Sequence, residues 1–579
     1  MRICRDCLRS TTRLTACFSA VVLTALCCNA WAATENVWQG ASQGDWDVAA
    51  NWSLGHAPTA GECAVLPDTG SSYAIAVNGE FLIGALQLAP RAGDGVTAVT
   101  LTGIGFLTND VKVADHVVGA NRRLVLDGAS ICFQYESETA ETNGQIAVDG
   151  EVAVVDDASR LSAYALNLVG DGAKLSLTAG TVQLIHTTYS GANAIQIDGG
   201  TYSSYRIGPL AVEGGGNPSA ADCRITYLQN GGQSSHRINV FSTNSVLTVS
   251  DGEYIFRGEA EFAAGFTLAI GGGTIRFNAV PAIDPTASLS LTGGTVYVTD
   301  LPNGTTAYDR LFAEASGTVV RFALQVSDAR TIMCDGPLVL DTIQNMTAEA
   351  RPVLKVSTLV FSQAYPFLIY GSVPNRYFCI EGPTTIRPTA DMDDMGGREV
   401  YPFASGDITV DTRDWNDSSV TRTVKLSLGV KGAASLTVMG GGTMELKPTR
   451  GANSYSWDGA RAFSCVTVSN NATLTIPSVA TSGNYIPLVA ERLVLGAGAT
   501  LNMSAGEGNG VYAASWSIDP SARINVTVLD SFTTGATPIL VNTGSDAIDD
   551  YTDRITLSGA TSGAVLKREG SYPNRKGVL

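Results

Sequence analysis

The chain is poor in charge, in aromatic rings and in proline: of 579 residues, 16% are charged, 7% are aromatic and 21 are Pro. Low charge beside 45% hydrophobic content excludes intrinsic disorder, which needs the opposite balance. Gly is plentiful at 62 but falls far short of every third residue, which excludes a collagen-like rod. Eleven Cys are too few for a dense disulfide scaffold. Lys and Arg number 37 against 54 acids, a net charge of −17, so a nucleic-acid backbone is repelled. Helical periodicity is hard to find after Ala33, and no later run is apolar enough to cross a bilayer. The length suits about three or four ordinary domains, or one long repeat array.

The N-terminus reads as a secretory signal. Arg2, Arg5, Arg9 and Arg13 precede an apolar run from Leu14 to Cys28, and Ala30-Trp31-Ala32 supplies the small residues of an A-x-A cleavage site. Cleavage after Ala32 is expected, with the mature chain secreted or held at the cell surface. It takes five Cys with it. Cys63, Cys132, Cys223, Cys334, Cys379 and Cys465 remain, widely spaced and without a C-x-x-C. Small core residues are therefore expected rather than a zinc site or a disulfide framework.

The body is a repeat. Leu268-Ala-Ile270-Gly-Gly-Gly-Thr-Ile275-Arg-Phe277 aligns with Leu289-Ser-Leu291-Thr-Gly-Gly-Thr-Val296-Tyr-Val298 without a gap. The template also fits copies beginning at Leu124, Leu175, Ile195 and Leu247, with one residue inserted at Leu436, Val466 and Leu493. Each copy is two short alternating strands split by a Gly-rich corner, so Leu268 and Ile270 share one face. One copy buries almost nothing, whereas stacked copies bury a continuous core. The predicted fold is all-β: a parallel β-helix, or β-solenoid, with an N-terminal cap. Leu175, Leu177, Ile195, Ile197, Leu247, Val249, Leu268, Ile270, Leu289 and Leu291 should line its core.

Two stretches carry a family resemblance. In the first, Leu436-Thr-Val438, Gly440-Gly441-Gly442-Thr443, Asn453-Ser-Tyr455 and Thr473-Leu474-Thr475 resemble bacterial autotransporter-associated β-strand repeats, and Leu493 to Met503 is similar to the step that often follows. In the second, Trp38-Gln-Gly40, Gly44-Asp45-Trp46, Asn51-Trp52-Ser53 and Pro58 resemble the opening of secreted bacterial β-helix proteins of this group. The resemblance implies a passenger-type rod from a Gram-negative bacterium. It departs at the end, where Leu579 closes the sequence without room for a membrane barrel after the repeats. The organisation expected is a signal peptide (1–32), a Trp-containing cap and first coils (33–90), β-helix coils (91–300), an irregular solenoid region with an acidic loop (301–430), autotransporter-like coils (431–510) and a C-terminal β segment with a basic tail (511–579).

Chemistry is harder to find. His56, His116, His186 and His236 lie far apart and read as isolated loop or surface residues. No G-x-S-x-G elbow or P-loop occurs. Asp127, Asp149 and Asp198 each precede a Gly at the same template position, where a carboxylate stack would bind sugar or Ca²⁺, or supply an acid and a base. Asp-Gly turn chemistry is the plainer reading. Asp391, Asp393, Asp394, Glu399, Asp407, Asp411, Asp414 and Asp417 form the best Ca²⁺ candidate, but Met395 and Pro402 break the EF-hand pattern and a solvated loop is expected. Trp38, Trp46 and Trp52 fit either a sugar-stacking platform or a cap over the first coil. The expectation is a structural or adhesin-like rod with no catalytic, cofactor-binding or metal residue. Its expected partners are extracellular polysaccharide or cell-surface components. The alternatives are a β-helix polysaccharide hydrolase or lyase, and a carbohydrate-binding rod.

Overall fold

A computed structural model describes residues 33–109, 113–133, 144–210, 223–299, 307–315, 317–324, 331–334, 336–343, 352–363, 376–393, 400–426, 428–430, 433–446, 461–477, 488–505, 510–528, 539–543, 551–559 and 576–578. The expected signal segment (1–32), Asn453 to Tyr455, Asp394, Glu399 and most of the basic tail lie outside these residues. The chain is a parallel β-solenoid. Each early coil visits three faces in turn, as in Ala85–Leu88, Thr97–Thr102 and Phe106–Asn109. Equivalent strands of successive coils pair in parallel, about 4.8 Å apart.

The repeat template is the second face, a corner and the third face. Thr267–Ile270 lies on the second face, Gly271 to Gly273 turn the corner, and Thr274–Phe277 lies on the third. On the second face the interior row runs Tyr73, Val99, Leu124, Val152, Leu175, Ile195, Tyr227, Leu247, Leu268, Leu289 in unbroken register. The next row carries Ile75, Leu101, Leu126, Val154, Leu177, Ile197, Gln229, Val249, Ile270 and Leu291 through the same pairings. The predicted core residues are thus collinear, nearly all fully buried, with Leu289 half-buried beside them. Alternation places one side chain in two inside, and stacking removes its apolar surface from water at roughly 25 cal/mol per Å².

The third face runs from Glu80–Leu82 to Val511–Ile518 without a break, crossing the irregular region on Val319–Leu324, Leu338–Ile343, Thr358–Phe361 and Thr384–Pro388. Two further sheets complete the later coils. One has five strands, Thr331–Cys334 to Gly429–Val430, and the other seven, Met392–Asp393 to Ile555–Gly559. A helix, Ala307–Ala313, departs from the all-strand expectation. Its Tyr308, Leu311 and Phe312 are buried. Tyr308 Oη donates to Ala279 O at 2.9 Å and Arg310 donates to the carbonyls of Asp284 and Ala287, so the helix sits where the first face ends at Ala282–Ile283.

Both rod ends are covered. At the start, Val37 N–H donates to Ser53 Oγ at 2.8 Å and Ser53 N–H donates to Val37 O at 2.9 Å. Asn51 Nδ2 and Trp52 Nε1 donate to the carbonyls of Asp45 and Trp46 at 2.9 and 2.7 Å. The open strand edge therefore spends its hydrogen bonds on residues 51–53 rather than on another chain. At the far end Lys576–Val578 lies antiparallel on Leu540–Asn542, whereas every other paired strand among the described residues is parallel.

The corners tolerate little. Gly273 holds φ +61°, and a Cβ there would lie 2.6 Å from the carbonyl oxygen of Gly252 on the previous coil. Gly271, two residues earlier, has open space around its Cβ position. Gly273→Ala should therefore cost about 1–3 kcal/mol from left-handed backbone and crowding together, while Gly271→Ala should cost far less. Urea unfolding of the two variants checks this, and equal midpoints would refute the corner argument.

Candidate functional site

The three Trp form a cap and offer no platform. Trp38, Trp46 and Trp52 are 3%, 0% and 2% exposed. Trp52 meets Trp38 and Trp46 edge-on at 5.2 and 4.8 Å between ring centroids, and Trp46 reaches Phe81 of the next coil at 6.1 Å. Gly40 is required here, because a Cβ would lie 2.5 Å from the Trp38 ring. No sugar can stack on rings that water does not reach.

The three template Asp do not share one row, which corrects the sequence reading. Asp127 ends one second-face strand and Asp198 follows another, Ala192–Ile197, but Asp149 follows Gln145–Val148 on the first face. Between Asp127 and Asp198 the row passes through Val155 and Thr178, as their N–H bonds to Leu126 O, Val154 O and Leu177 O show. The two carboxylates are three coils apart, roughly 14 Å along the axis. That exceeds the 5–10 Å or so that glycoside cleavage needs. Asp198 is further occupied by Gln196 Nε2 at 2.7 Å and Asn230 Nδ2 at 2.8 Å. The misreading arose because an Asp-Gly step serves any corner equally well.

Within the acid-rich stretch Asp411 and Asp414 belong to a neutralised network, while Asp391, Asp407 and Asp417 are exposed. Asp411 and Asp414 are 4% and 3% exposed. Arg413 grips Asp411 with Nε and Nη2 at 2.9 and 2.7 Å, and Arg387 stands 3.6 Å away. Arg422 holds Asp414 at 2.7 Å, and the N–H groups of Asn416 and Asp417 donate to the same carboxylate. Burial alone would raise both pKa values, but these donors and charges outweigh it and hold them below the ordinary carboxylate value. Asp391 accepts from Thr423 N–H, Asp407 from Ser435, and Asp417 from Ser419; Asp393 is half-buried on its strand. Asp391, Asp407, Asp411, Asp414 and Asp417 are thus engaged within the fold. Among the described residues no three of His, Cys, Asp or Glu converge to hold a metal ion.

Two histidines also depart from the surface reading. His116 is 1% exposed and stacks on Phe133 at 3.8 Å. Its Nδ1 lies 3.1 Å from Leu86 N–H, which donates to it, and its Nε2 lies 2.9 Å from Asn109 Nδ2. His236 is fully buried within a polar interior on the long strand Arg224–Phe241. It bonds Ser204 Oγ at 2.7 Å and lies among the rings of Tyr202, Tyr227 and Tyr254. Gln229 occupies an aliphatic row, and its Oε1 accepts from Ser234 Oγ, which in turn accepts from Tyr227 Oη at 2.7 Å. Burial, helped by the nearby Arg257 charge, pushes the His236 pKa down to about 3. His56 is exposed and His186 is half-buried beside Tyr164. Cys63, Cys132, Cys223, Cys379 and Cys465 form no disulfide. Cys63, Cys223 and Cys334 are buried, and Cys132, Cys379 and Cys465 are half-buried.

Sequence reasoning missed the outer side of the third face. Gln233, Glu253, Arg276, Tyr297, Arg321, Asp341 and Ser362 come from seven successive coils, and each touches the next. Gln233 donates to Glu253 at 2.7 Å, and Arg276 pairs with Glu253 at 3.0 Å. Tyr297 lies between Arg276 and Arg321, whose guanidinium carbons stand 4.2 and 5.7 Å from its ring centroid. Arg321 pairs with Asp341 at 2.8 Å, and Ser362 Oγ donates to Asp341. The signal lay in the template, where Arg276 and Tyr297 fill the outward position between two core residues, 21 residues apart. Such a ladder of paired charges and rings is suited to recognition at a surface. No catalytic acid–base pair forms in it, since each carboxylate already holds an Arg.

No protein-family model, curated protein or solved structure matches the chain.

Proposed function

We propose that this protein is a structural or adhesin-like β-solenoid, secreted or displayed at the cell surface, without catalytic activity. The observation that carries the reading is the state of the carboxylates. Asp127 and Asp198 lie three coils apart, and Asp411 and Asp414 are buried against Arg387, Arg413 and Arg422. A glycosidase needs one carboxyl group with a raised pKa beside an ionised partner, whereas the shifted carboxylates here move downward. The N-terminal segment supports export, and the Gly-corner repeats support membership of the autotransporter-associated group. In either case the rod would present long outer faces rather than a cleft. No described helix is long and apolar enough to cross a membrane.

The competing reading is a carbohydrate-active enzyme. Incubating the mature chain with plant, algal and host polysaccharides should release no reducing ends and no unsaturated sugars. Turnover that disappears in Asp127→Asn or Asp198→Asn would overturn the proposal. Export is tested separately, by locating the chain after fractionation of the producing cell and sequencing its N-terminus, with Ala33 expected first.

A further inference from the structure

We propose that Tyr205, Ser235, Arg237 and Arg257, on the third face and its following corner, bind a linear polysaccharide carrying about one carboxylate or sulfate per sugar. The four residues come from three successive coils. Ser203 of the first coil pairs with Ser235 of the second, and Ser235 with Ile255 of the third. The same register carries Tyr205 to Arg237, and Arg257 N–H donates to His236 O at 2.7 Å. Tyr205 is 43% exposed, with the Arg237 guanidinium 5.3 Å from its ring centroid. Arg237 and Arg257 are exposed, and no described carboxylate lies within ion-pair reach of either, unlike Arg276 and Arg321 on the same face.

Ser235 supplies a second, independent observation. Its neighbours Ser234 and His236 both point into the core, so Ser235 faces outward. Yet it is only 2% exposed, and its Oγ is buried without a hydrogen-bond partner. A buried hydroxyl of this kind costs free energy unless something pairs with it. A sugar hydroxyl or acidic oxygen laid along the strip would do so after a shift of the side chains that cover Ser235 Oγ.

Charge spacing selects the ligand class. Two of the three coils present an uncompensated cation, Arg237 and Arg257, about 4.8 Å apart, close to the length of one sugar ring. Duplex DNA carries a charge every 1.7 Å or so of its axis, too dense for two cations on a chain of net charge −17. Guanidinium groups hold carboxylate or sulfate through paired N–H donors, and the exposed Tyr205 ring offers an apolar surface to a sugar face. Binding does not depend on the absence of catalysis. It rests on extracellular display only for where the ligand would be met, so loss of binding and loss of export are separate failures.

The test titrates the purified mature chain with polygalacturonate, dextran sulfate, neutral dextran, polyglutamate and single-stranded DNA, using affinity electrophoresis and calorimetry. Retention by polygalacturonate or dextran sulfate, weakened by salt and absent with dextran, is expected, and the better of the two identifies the acidic group. The double variant Arg237→Ala, Arg257→Ala should bind at least about tenfold more weakly, the loss of two charge-assisted contacts, at an unchanged melting temperature. Arg276→Ala, which removes an already paired cation, should bind nearly as wild type. Tyr205→Ala at unchanged charge should also weaken binding. Equal retention of wild type and double variant, or polyglutamate or DNA held as tightly as the acidic glycans, would overturn the proposal.

Discussion

Deleting residues 37–58 should turn the chain into an aggregating species. The deletion removes the residues that occupy the outer hydrogen-bonding positions of the first coil: Ser53 on Val37, Asn51 on Asp45 and Trp52 on Trp46. It also strips the Trp cluster from Phe81 and the interior below it. The strands Glu62–Leu66 and Tyr73–Ala76 then become a bare edge, ready to pair with another rod. Size-exclusion chromatography should show high-mass species where the full chain runs as one peak. A single substitution isolates the packing part of the effect. Trp46→Ala leaves the strands in place but empties a fully buried indole site, at a cost of about 3–5 kcal/mol. Because coils interact mainly with their neighbours, hydrogen exchange should quicken in residues 34–109 and stay unchanged beyond residue 400. A truncated chain that remained monomeric and equally heat-resistant would dismiss the cap.

Acid should loosen the middle of the rod before its ends. His236 titrates near 3 in the fold against an ordinary value of 6.5. Between these values the unfolded chain binds a proton that the folded chain refuses. Stability of the coil Arg224–Phe241 is therefore complete above pH 6.5 and falls as pH drops, by about 1.4 kcal/mol per unit until about pH 3. The groups facing His236 are Ser204, Tyr202, Tyr227 and Tyr254, none of which ionises in this range, with Arg257 a permanent charge nearby. The depressed carboxylates Asp411 and Asp414 also cost stability on acidification, but only as pH falls into and below the ordinary carboxylate range. Hydrogen exchange of residues 224–241 between pH 7 and 5 thus reads the histidine alone. His236→Gln should flatten that dependence, and an unchanged slope in the variant would show that another group carries it.

Much of the fold was legible because its determinants are local. Leu268, Ile270, Ile275 and Phe277 show their inward alternation within ten residues, and Gly273 marks the bend between them. The first face was invisible for the same reason. Its strands Ala260–Phe262 and Ala282–Ile283 are too short to show a period, and beyond them the helix Ala307–Ala313 takes over on three buried side chains. The candidate sites were legible only in part. Trp38, Trp46 and Trp52 stood out by residue type, and the structure shows which of two roles they fill. Asp127, Asp149 and Asp198 looked equivalent because Asp-Gly makes a corner wherever it falls. His236 and Gln229 gave no local sign of burial, since their partners Ser204 and Ser234 belong to the neighbouring coil and to the far side of a corner.

Alternating apolar residues and corner glycines by themselves determined that this chain winds into stacked β coils, since backbone conformation and side-chain direction are set over a few bonds. Only the tertiary structure decided which side chains of different coils meet. A loop can absorb any number of residues while the rod advances by one strand spacing, so sequence distance does not report distance along the axis. That register separates Asp127 from Asp198 and seals Gln229 and His236 into a polar core. It also lays Tyr205, Arg237 and Arg257 side by side on the outside.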